Sequence, residues 1–261
     1  MIGALGGGRQ PVIFMYHGFC ESRLSNDPEN LFVEVSALQA QMRFLLDRGW
    51  TPLTLDQWLD VRAGLRPRPP KSFLLTIDDA FVSVADLALP VLARLGVPCV
   101  LFVPVGLTGR TAEWLPDPPD VPILSRERLL ALDGSLVDLG VHGWDHTPMS
   151  RSDTHGLSLQ VERSREELAS VTDRPPRAFA YPFGDHDEQA RAAVAGAGFD
   201  VAFSVFDDVG TMAVSRVDVN ATDTVRSFRV KTLPGYRRLW RMAQHVAFAR
   251  RLLRVALTRG Q

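Results

Sequence analysis

Unbroken apolar runs of five or six residues recur along this chain, and most are followed by a segment with helical spacing. Val12-Ile13-Phe14-Met15-Tyr16, Phe73-Leu74-Leu75-Thr76-Ile77 and residues 98–103 are of this kind. A strand with one face in water alternates apolar and polar residues, whereas a strand covered on both faces does not. The chain is therefore expected to build a parallel sheet buried beneath helices. Helical spacing is read over 35–48, 82–95, 157–171 and 187–197, with Gly49, Gly96 and Gly198 placed as C-terminal caps. Further strands are expected at 136–141, 178–181, 200–205 and 213–217. About seven strand-then-helix units in a chain of this length suit a closed or nearly closed (β/α) barrel. An open doubly wound sheet is the alternative.

The chain has 261 residues, 46% of them hydrophobic, which is enough for one sizeable core. Its net charge of −1 gives no general attraction to nucleic acid, and no such partner is expected. The charge is unevenly spread. After Asp223 there is no acidic residue and there are ten basic ones, so residues 1–223 carry −11 and the remainder +10. The basic stretch around Trp240, Arg241, Arg250, Arg251 and Leu252 reads as one long helix over 236–258. It either packs on the barrel or lies on an anionic membrane surface. Two cysteines are too few for a disulfide scaffold. The glycine-rich N-terminus has no apolar signal core, and no run of eighteen apolar residues occurs. The expected location is cytoplasmic, with peripheral contact at the inner membrane face through the basic helix.

Polar residues capable of chemistry stand where the expected strands run out. His17 follows the first, Asp78 and Asp79 the second, His142 and His146 a later one, and Tyr181-Pro182-Phe183-Gly184 another. In an α/β barrel the C-terminal ends of the strands meet on one face, where catalysis is housed. One carboxylate with two imidazoles can hold a divalent ion and leave a position open for water, whose pKa falls to about 7 on zinc. A second carboxylate beside that ion can then serve as a base. The combination points to hydrolysis. Zn²⁺ is the expected ion, and Co²⁺ or Ni²⁺ suits the same ligands.

Thr76-Ile77-Asp78-Asp79-Ala80 resembles the Thr-Phe-Asp-Asp-Gly motif of the polysaccharide deacetylases, the NodB-homology family. His142-Gly143-Trp144-Asp145-His146 is similar to that family's His-(Ser/Thr)-x-x-His motif, and Tyr181-Pro182-Phe183-Gly184 to its Arg-x-Pro-Tyr-Gly motif. Met15-Tyr16-His17-Gly18 resembles the opening of the branch that contains the poly-N-acetylglucosamine deacetylases. The resemblance spans about residues 11 to 220. It implies a distorted (β/α)₇ barrel over residues 1–235, with 236–261 as the basic appendage. It also implies removal of an acetyl group, N-acetyl above all, from a sugar, glycan or lipid-linked sugar. By the same resemblance Asp79, His142 and His146 bind the metal, Asp78 is the general base, and His17 protonates the leaving amine. Backbone N–H groups near Tyr181 help stabilise the oxyanion, with Pro182 and Phe183 beside them. Trp144 and Trp114 are expected to line the sugar site. His17 would need a carboxylate or carbonyl partner to stay protonated.

Three positions depart from the family pattern. Ala80 replaces a glycine, Gly143 replaces a Ser or Thr, and Ala180 stands where an arginine would orient the catalytic aspartate. Arg216, near the end of a later strand, is the expected substitute for that cation. These departures also admit a catalytically inactive glycan-binding relative, and a metallohydrolase of a non-sugar amide is a third reading. His155, His186 and His245 are read as structural or exposed.

Overall fold

The computed structural model describes residues 10–115, 120–172, 174–205 and 208–233, together with 235, 236 and 239. Of the expected basic helix over 236–258 the described residues include only Tyr236 and Leu239; His245 and the rest of that stretch, set apart at residue 235, lie outside them. In chain order the elements are β1 (Val12–Tyr16), β2 (Gly18–Cys20), β3 (Phe32–Glu34), α1 (Val35–Leu46), β4 (Thr51–Leu53), α2 (Leu55–Ala63), β5 (Ser72–Ile77), α3 (Leu89–Leu95), β6 (Cys99–Val103), α4 (Arg126–Leu130) and β7 (Val137–Val141). They continue with α5 (Thr154–Ser158), α6 (Ser164–Ala169), β8 (Ala178–Ala180), α7 (Glu188–Gly196), β9 (Val201–Ser204), β10 (Val214–Ser215), β11 (Val217–Asp218) and α8 (Val225–Lys231).

All pairings in the main sheet are parallel, in the order β10-β9-β8-β7-β6-β5-β1-β11, with β4 on the early part of β5. The two ends of this order are consecutive in the chain. Val214 and Ser215 pair with β9, Arg216 follows, and Val217 and Asp218 lie beside Phe14 and Met15 of β1. One stretch of chain thus closes the sheet into a barrel by changing partner at Arg216. The expected single strand over 213–217 is broken there, because a strand that serves two non-adjacent neighbours must bend between them.

Along each strand, successive side chains point in opposite directions. Ile13, Leu74, Phe102, Ala180 and Phe203 share one buried cluster with Leu53 and Trp58, which fill the barrel interior. Their alternate neighbours Phe14, Phe73, Leu75 and Phe179 join the larger core beneath the helices. Thr76 and Asp78 keep the parity of Leu74 and so point inward.

Some helices differ in detail from the expectation. The segment expected as one helix over 82–95 opens with a widened turn, Val84–Ala88, before α3. Pro90 has no N–H to give to the preceding turn, and a widened turn absorbs that missing bond. The helix expected from 157 starts at Thr154, where the Asp153 side chain caps the Gly156 N–H. Three elements have no counterpart in the sequence reading: β2 and β3, which form a small parallel pair, and α8, which is capped by Thr224.

Candidate active site

Strand β5 delivers both aspartates. The Asp78 N–H extends the ladder to the Tyr16 carbonyl at 2.9 Å. The chain then turns sharply, with Asp79 and Ala80 both left-handed at φ of 72° and 50°. Left-handed backbone costs a residue with a Cβ about 1–2 kcal/mol, which is why glycine suits the position that Ala80 holds. His146 and Phe183 are also left-handed, at 62° and 57°. Four such residues around one cleft are held there by the packing about them.

Strand β7 delivers His142, whose N–H donates to the Val103 carbonyl at 2.8 Å. Its ring Nδ1 lies 2.8 Å from the Ala180 carbonyl. A carbonyl only accepts, so Nδ1 carries the proton and Nε2 keeps a lone pair for the site. His146 lies between two aromatic rings. Trp114 stacks on it at 4.0 Å and 13°, and Phe183 meets it edge-on at 4.5 Å.

Asp79 Oδ1 lies 3.4 Å from His142 Nε2 and 3.2 Å from His146 Nε2. All three residues are buried, and their ligand atoms fall within 4.8 Å of one another. Oδ1 has no hydrogen-bond partner in proper geometry among the described residues. For ligands about 2.0–2.1 Å from a tetrahedral ion, neighbouring ligand atoms stand about 3.3–3.4 Å apart. The two carboxylate-to-imidazole spacings match that, so the donor set fits a divalent cation.

Electrostatics support the same arrangement. Burial alone would raise Asp79, but the close imidazoles of His142 and His146 hold it well below the usual carboxylate range. Burial pushes His142 down, and the charges of Asp78 and Asp79 outweigh it and leave the group raised. For His146 burial wins and the group is lowered toward the neutral form. A cation among the three would supply the positive charge that His142 otherwise takes up as a proton.

Arg216 is buried, and its guanidinium grips Asp78 with both arms, Nη1 to Oδ1 at 2.6 Å and Nη2 to Oδ2 at 2.7 Å. Nη1 also reaches Thr76 Oγ1 at 3.2 Å, and Nε donates to the Ser204 carbonyl at 3.2 Å. The rings of Phe102 and Phe203 lie 5.6 and 5.9 Å from the guanidinium carbon. Burial would push the Asp78 carboxyl up, but Arg216, then His142, holds it below its ordinary value. The cation expected opposite Asp78 is therefore present, and it comes from the break in the closing strand.

A cleft of about 280 Å³ opens on these groups, and His17, Asp78, Asp79, His142, His146, Tyr181 and Phe183 all line it. Two expectations need correction, and the oxyanion expectation narrows to one donor. Trp144 does not line the cleft. Its ring packs against Gly106, where an added Cβ would come within 2.4 Å of it, and Arg163 lies over its face. The Tyr181 N–H is already bonded to the Phe203 carbonyl, and its hydroxyl donates to the Met212 carbonyl. Pro182 has no N–H, and the Gly184 N–H turns back to the Tyr181 carbonyl, which leaves the Phe183 N–H as the available donor in that turn. Finally, His17 Nδ1 is buried with no hydrogen-bond partner among the described residues, so the expected carboxylate or carbonyl is not there.

One positioning residue was missed. Gln160, buried on its helical segment, accepts from the Trp144 N–H at 2.7 Å and donates to Asp145 Oδ1 at 2.5 Å. It clamps the loop between His142 and His146, the task that the absent hydroxyl at Gly143 would have shared. A Cβ on Gly143 would lie 2.7 Å from Gln160 Oε1, and Gly143 has φ of 73°. The sequence signal was a glutamine within the apolar stripe of Leu157, Val161 and Leu168.

The polysaccharide deacetylase family matches residues 65–202, just over half of the chain. The chain belongs to the polysaccharide deacetylase family. It is 22% identical over 232 residues to the poly-beta-1,6-N-acetyl-D-glucosamine N-deacetylase of Escherichia coli strain K12, covering 74% of this chain and 33% of that protein. The chain thus spans about a third of the length of that relative. Among solved structures, IcaB from Ammonifex degensii superposes with a TM-score of 0.72 at 24% identity, over 86% of this chain and 97% of that one. The Streptococcus pyogenes deacetylase PplD, solved in complex with acetate, gives 0.74 at 17% identity, over 87% and 100%. At these identities the structures establish the fold.

Proposed function

We propose that this protein hydrolyses the N-acetyl group of a sugar within a polysaccharide, as the name of the Escherichia coli relative states for that protein. The observation that carries the reading is the ion pair of Asp78 with the buried Arg216, beside the Asp79–His142–His146 group, with Asp78 and those three residues lining one cleft. Asp79, His142 and His146 would hold a divalent ion, zinc in this reading, which when bound would acidify a water and polarise the acetyl carbonyl.

Asp78 would take the proton from the attacking water as that water adds to the acetyl carbonyl carbon. Arg216 keeps the carboxylate ionised and fixes its plane, at the expense of basicity. The oxyanion that develops on the acetyl oxygen meets the Phe183 N–H. When the C–N bond breaks, the nitrogen takes a proton from the His17 ring, and acetate and the amino sugar leave. His17 lines the same cleft as Asp78 and Asp79. Trp114 and Phe183 present aromatic surface suited to a pyranose face. The cleft volume lies near the lower end for ligand sites and suits one sugar unit at a time.

Acetate release from β-1,6-linked N-acetylglucosamine oligomers, with and without a chelator, tests the proposal. An Asp78→Asn variant provides the blank. Release that survives both chelation and that substitution would remove this mechanism. The basic stretch 236–261 would hold such an enzyme against an anionic lipid surface, a reading supported by its charge alone. Sedimentation with phosphatidylglycerol vesicles, comparing the full chain with one ending at Gly235, tests that part.

A further inference from the structure

Apart from its reacting groups, the cleft is largely apolar, with Met15, Leu31, Trp114, Leu115 and Phe183 on its walls. One further carboxylate lines it, that of Glu29. Glu29 is exposed, and among the described residues its side chain has no ion pair or hydrogen bond. The loop that carries it is well anchored. The Asp27 carboxylate accepts from the N–H groups of Leu31 and Phe32, both at 3.0 Å. Asn30, left-handed at φ of 57°, accepts from the Ala221 N–H at 3.0 Å. Glu29 is therefore presented to the cleft by a fixed support.

The charges of the cleft are otherwise matched. Asp78 is paired with Arg216, and Asp79 faces two imidazoles. A neutral N-acetylated sugar offers Glu29 only hydroxyls. The product of deacetylation differs, because its free amine is an ammonium at neutral pH. Since the cleft suits one sugar unit, the next unit of the same polymer lies at the rim, where Glu29 is exposed.

We propose that Glu29 is a specificity residue that favours an acetylated sugar whose neighbour in the chain already carries a free amine. The inference rests on the deacetylase reading above. It makes the enzyme act preferentially on polymer that has already been partly deacetylated.

An exposed ion pair is worth about 0.2–1 kcal/mol, so the expected preference is about 1.4- to fivefold in kcat/KM at low ionic strength, carried by KM. In about 1 M salt, where the screening length is about 3 Å, it should vanish. The test compares acetate release from a fully acetylated β-1,6-linked N-acetylglucosamine oligomer with release from the same oligomer bearing one free amine. Calorimetric binding of a glucosamine oligomer to the metal-loaded protein runs beside it. In Glu29→Gln the kcat/KM ratio should fall to about one and glucosamine binding should weaken, and in Glu29→Lys the ratio should invert. Equal use of both oligomers by the wild type, or a ratio that Glu29→Gln leaves intact, overturns the proposal while leaving the deacetylase reading in place. Glu29-dependent glucosamine binding without acetate release from either oligomer supports Glu29 as an amine site and removes the deacetylase reading instead.

Discussion

The Arg216 guanidinium holds both carboxylate oxygens of Asp78, at 2.6 and 2.7 Å, from the point where the barrel's closing strand changes partner. The same residue therefore stands at the closure of the fold and fixes the proposed base.

Removing Arg216 should damage stability and chemistry separately. Breaking one side of a buried pair costs about 3–5 kcal/mol, so Arg216→Ala should lower the urea midpoint markedly. The folded Asp78 carboxyl titrates below its ordinary value because of Arg216. The pair thus stabilises the fold at neutral pH and loses that contribution only as pH falls below the unfolded value of about 3.9. Without the guanidinium the carboxyl must rise, and the acidic limb of the kcat/KM profile should move to higher pH. Combining Arg216→Met with Asp78→Leu should regain much of the stability and none of the activity. An acidic limb that stays in place in Arg216→Ala would refute the assigned role.

Metal loading should be visible without any substrate. Purified protein is expected to hold one divalent ion, and Asp79→Asn, His142→Ala and His146→Ala should each abolish it, as read by elemental analysis. A ligand at a hundred times its Kd stabilises by about 2.7 kcal/mol. For a chain of this size that is on the order of 5–10 °C in Tm. Chelation should cause a loss of that order, and re-addition of zinc should reverse it. A Tm indifferent to both treatments would show that the three side chains hold no ion.

Much of this arrangement was legible in the sequence. Strands β1 and β5 are buried almost throughout, so their apolar runs stand out, and the residues that end them, like those that end β7, fall together on one face of any parallel barrel. His17, Asp78, Asp79 and His142 are readable for that reason. Arg216 was readable only as a candidate, because the break in its strand depends on pairing with β9 and β1, which no local pattern records. Trp144 was misplaced because His142 and His146 on either side of it suggested the cleft, whereas the small volume at Gly106 draws its ring away. Gln160 was missed because its partners, Trp144 and Asp145, are distant in sequence and one of them is a backbone group.

The thiol of Cys99 should be inert in the folded protein. It lies within β6, and burial, with a smaller contribution from the Asp138 charge, pushes it up to about 12. Burial also raises Cys20. Neither should react with a chromogenic disulfide at pH 8 until denaturant is added. In the unfolded chain a cysteine ionises near 8.5. Between that value and 12 the unfolded state releases a proton that the native state keeps, so the Cys99 contribution to stability declines as pH rises. The stability gap between wild type and Cys99→Ala should therefore narrow from pH 8.5 upward. A constant gap would mean that the thiol is already ionised in the native fold.

Gln160 offers the sharpest test of how the loop between the histidines is held. Its amide oxygen satisfies the Trp144 N–H and its nitrogen holds Asp145, so Gln160→Ala removes both ties. Leaving a buried N–H unsatisfied costs about 1–3 kcal/mol. His146 would also lose the support of its left-handed turn, and residues that orient metal ligands typically change metal affinity by about 10–100-fold. Gln160→Glu keeps the acceptor but sets a second carboxylate against Asp145, so it should weaken zinc binding as well. Competition against a chromophoric chelator measures both variants. A Gln160→Ala protein that binds zinc as tightly as wild type would mean that the packing of His146 between Trp114 and Phe183 suffices to hold the loop.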